Sequence, residues 1–314
     1  MKYIITIIAI GLALAVTLQA VPAQAQSART FVSPTGNDSS KDCSITAPCR
    51  TFKAALAATN AGGEISVLGT ADYGTLTVNK AITIVNGDGF EAGIMVPFNG
   101  KGIWITAGPN DAVNLRGLTI EGGAAGIWFD TGQSLTIDNC MIHGADVAIS
   151  FGPTATSNLL VSNSLLVDNH VGALVAGLGS GTVSAVFNRV QASHNGGLGG
   201  IGILVSGVDS TGPEVKVTVY DSIASANGDS GFFVTTRSGY AATTLMLLNS
   251  VAANNDRGLV AVGGATIRVA HSAVTGNNLG WDASTGGGVV QSYDNNYIDG
   301  NHSNEGAPPS IALK

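Results

Sequence analysis

Charged and aromatic side chains are scarce in this sequence. Of its 314 residues, 11% are Asp, Glu, Lys or Arg and 6% are Phe, Trp or Tyr, whereas 45% are hydrophobic and 43 are glycine. So large an apolar share excludes an intrinsically disordered chain. The formal net charge of −7 provides no basic surface for nucleic acid or anionic lipid, so neither is predicted as a partner. The long Ala, Leu, Glu and Lys stretches typical of helical proteins are also missing.

Cysteine is rare as well, with three in the whole chain. Cys43 and Cys49 lie in one polar loop and are predicted to form a disulfide in an exported chain. A metal site would need further ligands, and no histidine lies near this pair, so no metal or other cofactor is predicted. Cys140 aligns with serines at a repeated corner and is interpreted as a small packing residue; a catalytic thiol is the alternative.

The first 25 residues have the pattern of a secretion signal. Lys2 precedes an apolar run from Ile4 to Leu18, and Ala23-Gln24-Ala25 is a small-residue cleavage site. A membrane anchor is the alternative, but the run is shorter than the roughly 17 to 25 residues that span a bilayer. Cleavage leaves 13 basic and 21 acidic side chains, a net charge of −8, and no later apolar segment of spanning length. The mature chain is therefore predicted to begin at Gln26 and to be secreted or periplasmic.

A short motif recurs through the second half of the chain: an apolar run, a small polar pair, a second apolar run and an asparagine. Its copies begin at Leu135, Leu159, Ala185, Val217, Leu245, Ile267 and Val290. When they are superimposed, one column contains Asn169, Asn195, Asn227, Asn255, Asn277 and Asn301. Self-similarity at a period of roughly 22 to 32 residues indicates a solenoid, in which each repeat packs only against its neighbours.

The apolar runs alternate as strands do. One predicted inward column contains Ile137, Val161, Phe187, Val219, Leu247, Val269 and Tyr293; a second contains Ile142, Leu166, Ala192, Ala224, Ala252, Val274 and Ile298. A third short strand follows each corner, usually opened by glycine. The sequence therefore predicts an all-β fold, a single-stranded right-handed parallel β-helix with three short strands per coil. A β-propeller would need longer strands in blades, and a leucine-rich repeat would need a fixed leucine frame.

A short helix is predicted to cap the first coil. Thr51 is a suitable N-cap, Phe52, Ala55 and Leu56 share one face, and Gly62-Gly63 would end the helix. The predicted divisions are a signal peptide at 1–25, a loop and capping helix at 26–63, the β-helix at 64–306 and a C-terminal tail at 307–314. Prolines 308 and 309 should stop the ladder, with Ile311 and Leu313 folding back over the last coil.

The segments FVSPTGND and APCRTFKAALAATNAGGEI, followed by the corner repeats, resemble secreted bacterial right-handed parallel β-helix proteins of the pectate-lyase-like superfamily, over residues 29–314. The resemblance implies the fold. For many members it also implies polysaccharide cleavage, by lyases with Ca²⁺-binding acids and a basic residue or by hydrolases with clustered aspartates. The signatures of those enzymes, an Asp-Asp pair, Gly-His-Gly or Arg-x-Lys, are absent from this chain.

One group of titratable residues remains as a candidate site. In the alignment Asp146 lies below His170 and Asp168 lies below His194, at the corner before the third strand. In the same corner, His143 stacks on Glu121. Carboxylate and imidazole groups in adjacent coils could serve as acid and base or bind a divalent metal. The alternative is a set of solvated corner residues. Arg116 and Asp138 stack as a predicted surface ion pair.

Aromatic residues are candidates for sugar contacts, since exposed rings commonly stack on sugars. Trp128 is predicted to point outward, whereas Tyr240 lies in a loop and Trp281 follows a corner; packing is the alternative for each. The favoured interpretation is an exported, non-catalytic, monomeric β-helix protein that binds polysaccharide or cell-envelope glycan. The alternatives are a polysaccharide lyase or glycoside hydrolase using Asp146, Asp168, His170 and His194, and a purely structural envelope component.

Overall fold

The computed structural model describes residues 26–87, 89–197, 199–303 and 306–312. The predicted signal peptide and Leu313 lie outside these residues. The described chain winds as one solenoid whose coils each contribute a strand to three parallel sheets of 11, 10 and 9 strands. Within each sheet, strands from successive coils are hydrogen-bonded to one another in parallel, so the predicted parallel β-helix is confirmed.

The three sheets differ in strand length. The first sheet contains Ser27–Val32, Thr59–Val67, Ile82–Val85, Ala112–Arg116, Ser134–Asp138, Ser157–Ser162, Val183–Asn188, Glu214–Tyr220, Ala242–Leu248, Thr266–Ala270 and Val289–Ser292. The second contains Ala71–Asp72, Ala92–Met95, Leu118–Glu121, Met141–His143, Leu165–Val167, Gln191–Ser193, Ile223–Ser225, Val251–Ala253, Ala273–Thr275 and Tyr297–Ile298. The third contains Leu76–Val78, Lys101–Thr106, Ala125–Thr131, Val147–Phe151, Val171–Ala176, Ile201–Ser206, Ser230–Thr235, Arg257–Val262 and Leu279–Asp282.

The core is built from columns of inward side chains. The column from Ile142 to Ile298 is confirmed over its whole length by strand register. The column from Ile137 is confirmed as far as Val269, but its last member is Ser292, and the prediction of Tyr293 was wrong. The extra residue of the last repeat lies in the corner after the strand, where Asp294 adopts a left-handed φ of 61°, and not before the strand.

The capping helix comprises Phe52–Ala58. The Thr51 side chain accepts a hydrogen bond from the Ala54 N–H, and Phe52 packs its ring 5.1 Å from that of Tyr73. The prediction that the helix reaches Gly62-Gly63 was wrong, because Thr59 is already extended, with φ −90° and ψ 140°. There the buried Thr59 hydroxyl bonds the Thr30 hydroxyl, at 2.8 Å. The strand Thr59–Val67 pairs with Ser27–Val32, so the first sheet starts before residue 64.

At the C-terminal end of the solenoid, the segment after the prolines makes contacts with the last coil. Ser292 donates its N–H to the Pro309 carbonyl and accepts from the Ile311 N–H, which forms one parallel bridge beyond the prolines. Trp281 occupies the inward column next to Leu259 and packs against the end of the core.

The turns of each coil are unequal. Between the first and second sheets most turns are as short as 139–140 or 163–164, whereas between the third and first sheets they range from 132–133 to 207–213. The disulfide between Cys43 and Cys49 is present, as predicted. Within the described residues, no helix has the length and apolar character to cross a membrane.

Candidate functional site

The structure brings the six predicted asparagines into one column, in which Asn301 is half-buried and the other five are buried. Each one except the last donates its backbone N–H to the side-chain Oδ1 of the next, at 2.9 to 3.1 Å. The side-chain Nδ2 atoms also donate to Oδ1 of the next asparagine and to backbone carbonyls such as Ala192 O. Each of these repeats therefore closes its corner with an asparagine whose side-chain amide is hydrogen-bonded to neighbouring coils. We call this column of six residues the asparagine ladder; its hydrogen bonds hold adjacent coils in register.

The predicted corner residues form two exposed rows on either side of this ladder. Asp168 and His194 each precede a ladder asparagine and adopt left-handed φ values of 57° and 55°. The same row contains Gly144, Ala226, Asn254, Gly276 and Gly300, all with positive φ. Asp and His tolerate that conformation better than most residues. The turn geometry therefore accounts for these two residue types without any chemical role.

Asp146 and His170 form the second row. They precede Val147 and Val171, which pair in register, and the Val171 N–H donates to the Asp146 carbonyl at 2.8 Å. His143 pairs with Glu121 in the second sheet, as predicted. The side chains of Asp146, Asp168, His170 and His194 are all solvent-exposed. In the described part of the chain, no three His, Cys, Asp or Glu side chains are arranged to hold a metal ion.

Cys140 belongs to the packing of the neighbouring corner. It is 2% exposed, and its N–H donates to Ser164 Oγ at 3.1 Å. The same type of bond joins Ser222 to Ser250 and Ser250 to Ser272. Burial raises the pKa of the Cys140 thiol to about 12, so it stays protonated at neutral pH. These observations favour the interpretation of Cys140 as a packing residue.

Two tryptophans lie side by side on the outer face of the third sheet. Trp104 in Lys101–Thr106 pairs directly with Trp128 in Ala125–Thr131, whose neighbours Ile127 and Phe129 are fully buried. The prediction that Trp128 points outward is confirmed. Trp104 was not singled out from the sequence, although the tripeptide Gly-Ile-Trp at residues 102–104 recurs at 126–128.

Both indoles are held in fixed orientations. The Asp130 carboxylate accepts a hydrogen bond from each ring N–H, and both bonds are 2.6 Å long. The Lys101 Nζ lies 4.2 Å from the Trp104 ring centroid and 3.9 Å from that of Trp128, within the range of cation–π attraction. We call Lys101, Trp104, Trp128 and Asp130 the tryptophan platform. Because its rings are already ordered, a ligand that stacks there pays little conformational entropy.

A cleft of ≈ 500 Å³ adjoins the platform. Its lining combines two lysines with amide, hydroxyl and aromatic groups, and comprises Lys53, Thr75, Leu76, Thr77, Asn99, Lys101 and Trp104. No carboxylate is in this lining, although the chain as a whole is acidic. The cleft therefore has the size and the polar groups of a small-ligand site, with local positive charge.

The other two aromatic candidates have separate surroundings. Tyr240 is 41% exposed, and the Arg237 guanidinium lies 4.9 Å from its ring centroid. Trp281 donates its ring N–H to the Gly306 carbonyl while it packs on the core. Packing, the alternative weighed for Trp281, is therefore confirmed.

Comparisons with known proteins agree with this architecture. The family model described as "Right handed beta helix region" matches residues 101–279. The chain belongs to the right-handed β-helix family. Two solved structures have a similar fold: pectate lyase Pel9A, with a TM-score of 0.66 and 18% identity over 91% of this chain and 78% of that one, and a rhamnogalacturonan lyase, with a TM-score of 0.59 and 15% identity over 79% and 76%. No curated protein sequence matches the chain. The predicted handedness is confirmed, and at such low identity the two likenesses concern the fold alone.

Proposed function

We propose that this β-helix protein is a non-catalytic glycan-binding protein that holds carboxylated sugar units on the tryptophan platform. The observation that carries the proposal is the pair of in-register tryptophans on a rigid outer face, locked by Asp130 and Lys101. Flat aromatic rings bind the apolar faces of sugars, and strands position them more precisely than loops do.

The adjoining cleft supports the choice of a carboxylated sugar. Lys53 and Lys101 provide two ammonium groups, and Asn99 and Thr77 provide hydrogen-bond partners for hydroxyl groups. Charge attraction of this kind weakens as ionic strength rises, whereas stacking does not. We also propose that the protein acts outside the cytoplasm, a location supported by the Cys43–Cys49 disulfide.

Calorimetric titration with trigalacturonate tests the proposal. Trp104→Ala should weaken binding about tenfold, because it removes a stacking surface without touching the core. Lys53→Ala should weaken binding at low salt and much less at high salt. Tyr240→Ala is the matched control, since it removes an exposed ring that also lies against a cation, away from the platform. Equal affinity of the Trp104→Ala and Tyr240→Ala proteins would contradict the proposal.

Cleavage of polysaccharide at Asp146, Asp168, His170 and His194 is the rival hypothesis. The register of Asp146 with His170 and of Asp168 with His194 supports it. The exposure of all four residues and the left-handed turn positions of Asp168 and His194 give it less support than the platform has. Incubation with a panel of polysaccharides, assayed for reducing ends and unsaturated products, separates the two. Turnover that disappears in Asp168→Asn and His194→Asn would establish the enzyme, because Asn already occupies this row at Asn254 and preserves the backbone.

A further inference from the structure

The tryptophan platform is the beginning of a longer row of side chains on the outer face of the third sheet. Strand register places one outward residue of each coil over the equivalent residue of the coil before it. This outer row contains Trp104, Trp128, Ser150, Leu174, Leu204, Phe233 and Val260. Trp104 and Phe233 are five coil spacings apart, and at about 4.8 Å per coil the row extends roughly 24 Å along the solenoid axis.

The later members of the outer row are apolar side chains that point away from the core. Leu174, Leu204 and Phe233 are half-buried, whereas the residues before and after each of them in its strand are at most 1% exposed. Ser150 and Val260 are buried, so the accessible part of the row ends at Phe233, and a ligand would pass over Ser150. Apolar side chains that continue the line of two tryptophans favour one extended contact surface.

Charge divides the outer row into two parts. The cleft beside the platform provides two lysine ammonium groups at one end. Beyond the platform the row contains no charged side chain. The arginines in the coils around Phe233 are Arg237 and Arg257, and their guanidinium groups are paired with Asp209 at 3.3 Å and with Asp229 at 2.6 Å. Ammonium groups for a carboxylated sugar are therefore present at the platform end, whereas the rest of the row suits uncharged sugar units.

A line of small side chains borders the outer row on the side of the turns to the first sheet. Ala176, Ser206 and Thr235 follow one another in register, and the last two are half-buried residues with hydroxyl groups. An apolar line beside hydroxyl groups matches the C–H faces and the hydroxyl rims of successive sugars. The row is one residue wide, which fits a single extended chain better than the flat face of a second protein.

We propose that the ligand is an acidic heteroglycan that lies along the solenoid axis, with a carboxylated unit on the tryptophan platform and uncharged units over Leu174, Leu204 and Phe233. This inference rests on the proposed function, because the platform holds the carboxylated unit. It adds the direction of the glycan, a contact length of roughly 24 Å and a preference for uncharged units beyond the platform.

Calorimetric titration with glucuronoxylan oligosaccharides tests the inference. Each oligosaccharide contains one terminal glucuronic acid followed by two, three, four or five xylose units, so only the uncharged length changes. Affinity should rise about tenfold from the shortest to the longest, because more units contact the outer row. Trigalacturonate and hexagalacturonate, with a carboxylate on every unit, should differ about threefold or less, because the added units bring charge to an uncharged surface.

Phe233→Ala tests the far end of the row. It should weaken binding of the longest glucuronoxylan oligosaccharide about fivefold and leave trigalacturonate binding unchanged, because a trisaccharide on the platform does not reach that coil. Met246→Ala is the matched control. It removes a half-buried apolar side chain from the outer face of the first sheet, in the strand that follows the one containing Phe233, and should change neither affinity.

Four results would overturn the inference. They are equal affinity at every xylose length, an equal gain with galacturonate length, equal affinities of the Phe233→Ala and Met246→Ala proteins, and a dimer in sedimentation velocity that Phe233→Ala dissociates. The dimer would assign the outer row to a second copy of the chain. Failure of the proposed function is distinguishable, because trigalacturonate itself would then not bind. Failure of this inference alone leaves trigalacturonate binding, and its loss in Trp104→Ala, intact.

Discussion

The early coils, up to residue 131, and the later coils, from residue 134 onward, close the corner before the third strand in different ways. In the later coils the corner before the third strand is closed by the asparagine ladder from Asn169 to Asn301. In the early coils the equivalent corner is Gly122-Gly123, with φ values of 84° and 78° and no side-chain amide. The regular coils repeat one satisfied hydrogen-bond pattern, whereas the early coils close their corners individually.

The surface chemistry follows the same division. The lysine-bearing cleft beside the tryptophan platform lies wholly on the early coils. Phe90 and Trp104, and the fully exposed Phe98, all belong to this part of the chain. In the regular coils each residue has an equivalent residue in the coil above and in the coil below. Contacts with these two residues restrict which side chains fit at that position. Departure from the repeat leaves side chains available for ligands.

The largest expected effect is at the joint between the two regions. Phe129 and Phe151 stack inside the core with ring centroids 4.5 Å apart. Phe151→Ala should lower the free energy of unfolding by about 4 kcal/mol, because a large buried cavity replaces the ring. Denaturant unfolding measures the loss, and hydrogen exchange reports which coils open first. A loss below about 1 kcal/mol would mean that the cavity collapses and that the joint is not tightly packed.

The next prediction concerns the ladder itself. Asn227→Ala removes the acceptor of the Asn195 N–H and Nδ2, and two donated bonds to Ala192 and Asn255. Unpaired buried groups should reduce the free energy of unfolding by about 3 kcal/mol. Asn301→Ala, at the end of the ladder, is the matched control and should cost about 1 kcal/mol, because Asn301 is only half-buried and water can replace its hydrogen bonds with Asn277 and Val274. Equal losses at both positions would show that the ladder does not act through neighbouring coils.

The disulfide tests the stability of the early region alone. Reduction, or Cys43→Ser with Cys49→Ser, should lower the free energy of unfolding by about 2 kcal/mol, as expected for a small closed loop. Thermal unfolding with and without reductant gives the measurement. Hydrogen-exchange protection of the asparagine ladder should be unchanged. Loss of protection there would mean that the two regions unfold as a single unit.

The smallest predicted effect is a pH dependence of the free energy of unfolding that arises from Asp138 in the first sheet. Burial raises the pKa of Asp138, but hydrogen bonds from Asn163 and Ser162 and the charges of Arg116 and Arg189 outweigh it, so the pKa is lowered. A carboxylate with a lowered folded pKa stabilises the protein above its unfolded pKa, about 3.9, and this contribution is lost as pH falls through the folded pKa. Asp138→Asn should therefore cost at most about 1 kcal/mol at pH 7.

At a pH below the folded-state pKa of Asp138, the Asp138→Asn protein and the parent should unfold with equal free energies. Paired unfolding curves at the two pH values provide the check. A difference that persists in acid would assign the effect to the shape of the side chain rather than to its charge.

The repeat was readable from the sequence because the same polar residue performs the same task in successive coils. Each ladder asparagine after Asn169 accepts the backbone N–H of the asparagine before it, and the Asn alignment also set the register of Ile142 and its column. The predicted Arg116–Asp138 ion pair is confirmed at 3.5 Å by the same register.

The tryptophan platform could not be read from that alignment. The aligned copies began at Leu135, after Trp104 and Trp128, so nothing in the repeat brought the two rings together. The end of the helix was missed for a related reason. Local sequence favoured continuation to Gly62, but pairing of Thr59–Val67 with Ser27–Val32 overrides that preference. Contacts between distant segments decide where the helix ends, and the sequence around Thr59 does not show them.

The turns between the third and first sheets vary from two to seven residues, so this edge of the molecule tolerates differences in turn length. At the other two junctions most turns in the later coils are short and are closed by left-handed residues and the buried ladder, although the last repeat has two more residues than most between its first-sheet and second-sheet strands. Segments such as 207–213 and 236–241 leave and re-enter the solenoid without altering the path of the coils. Peptides or recognition loops grafted along this edge would be spaced about 4.8 Å apart, which is the distance between successive coils.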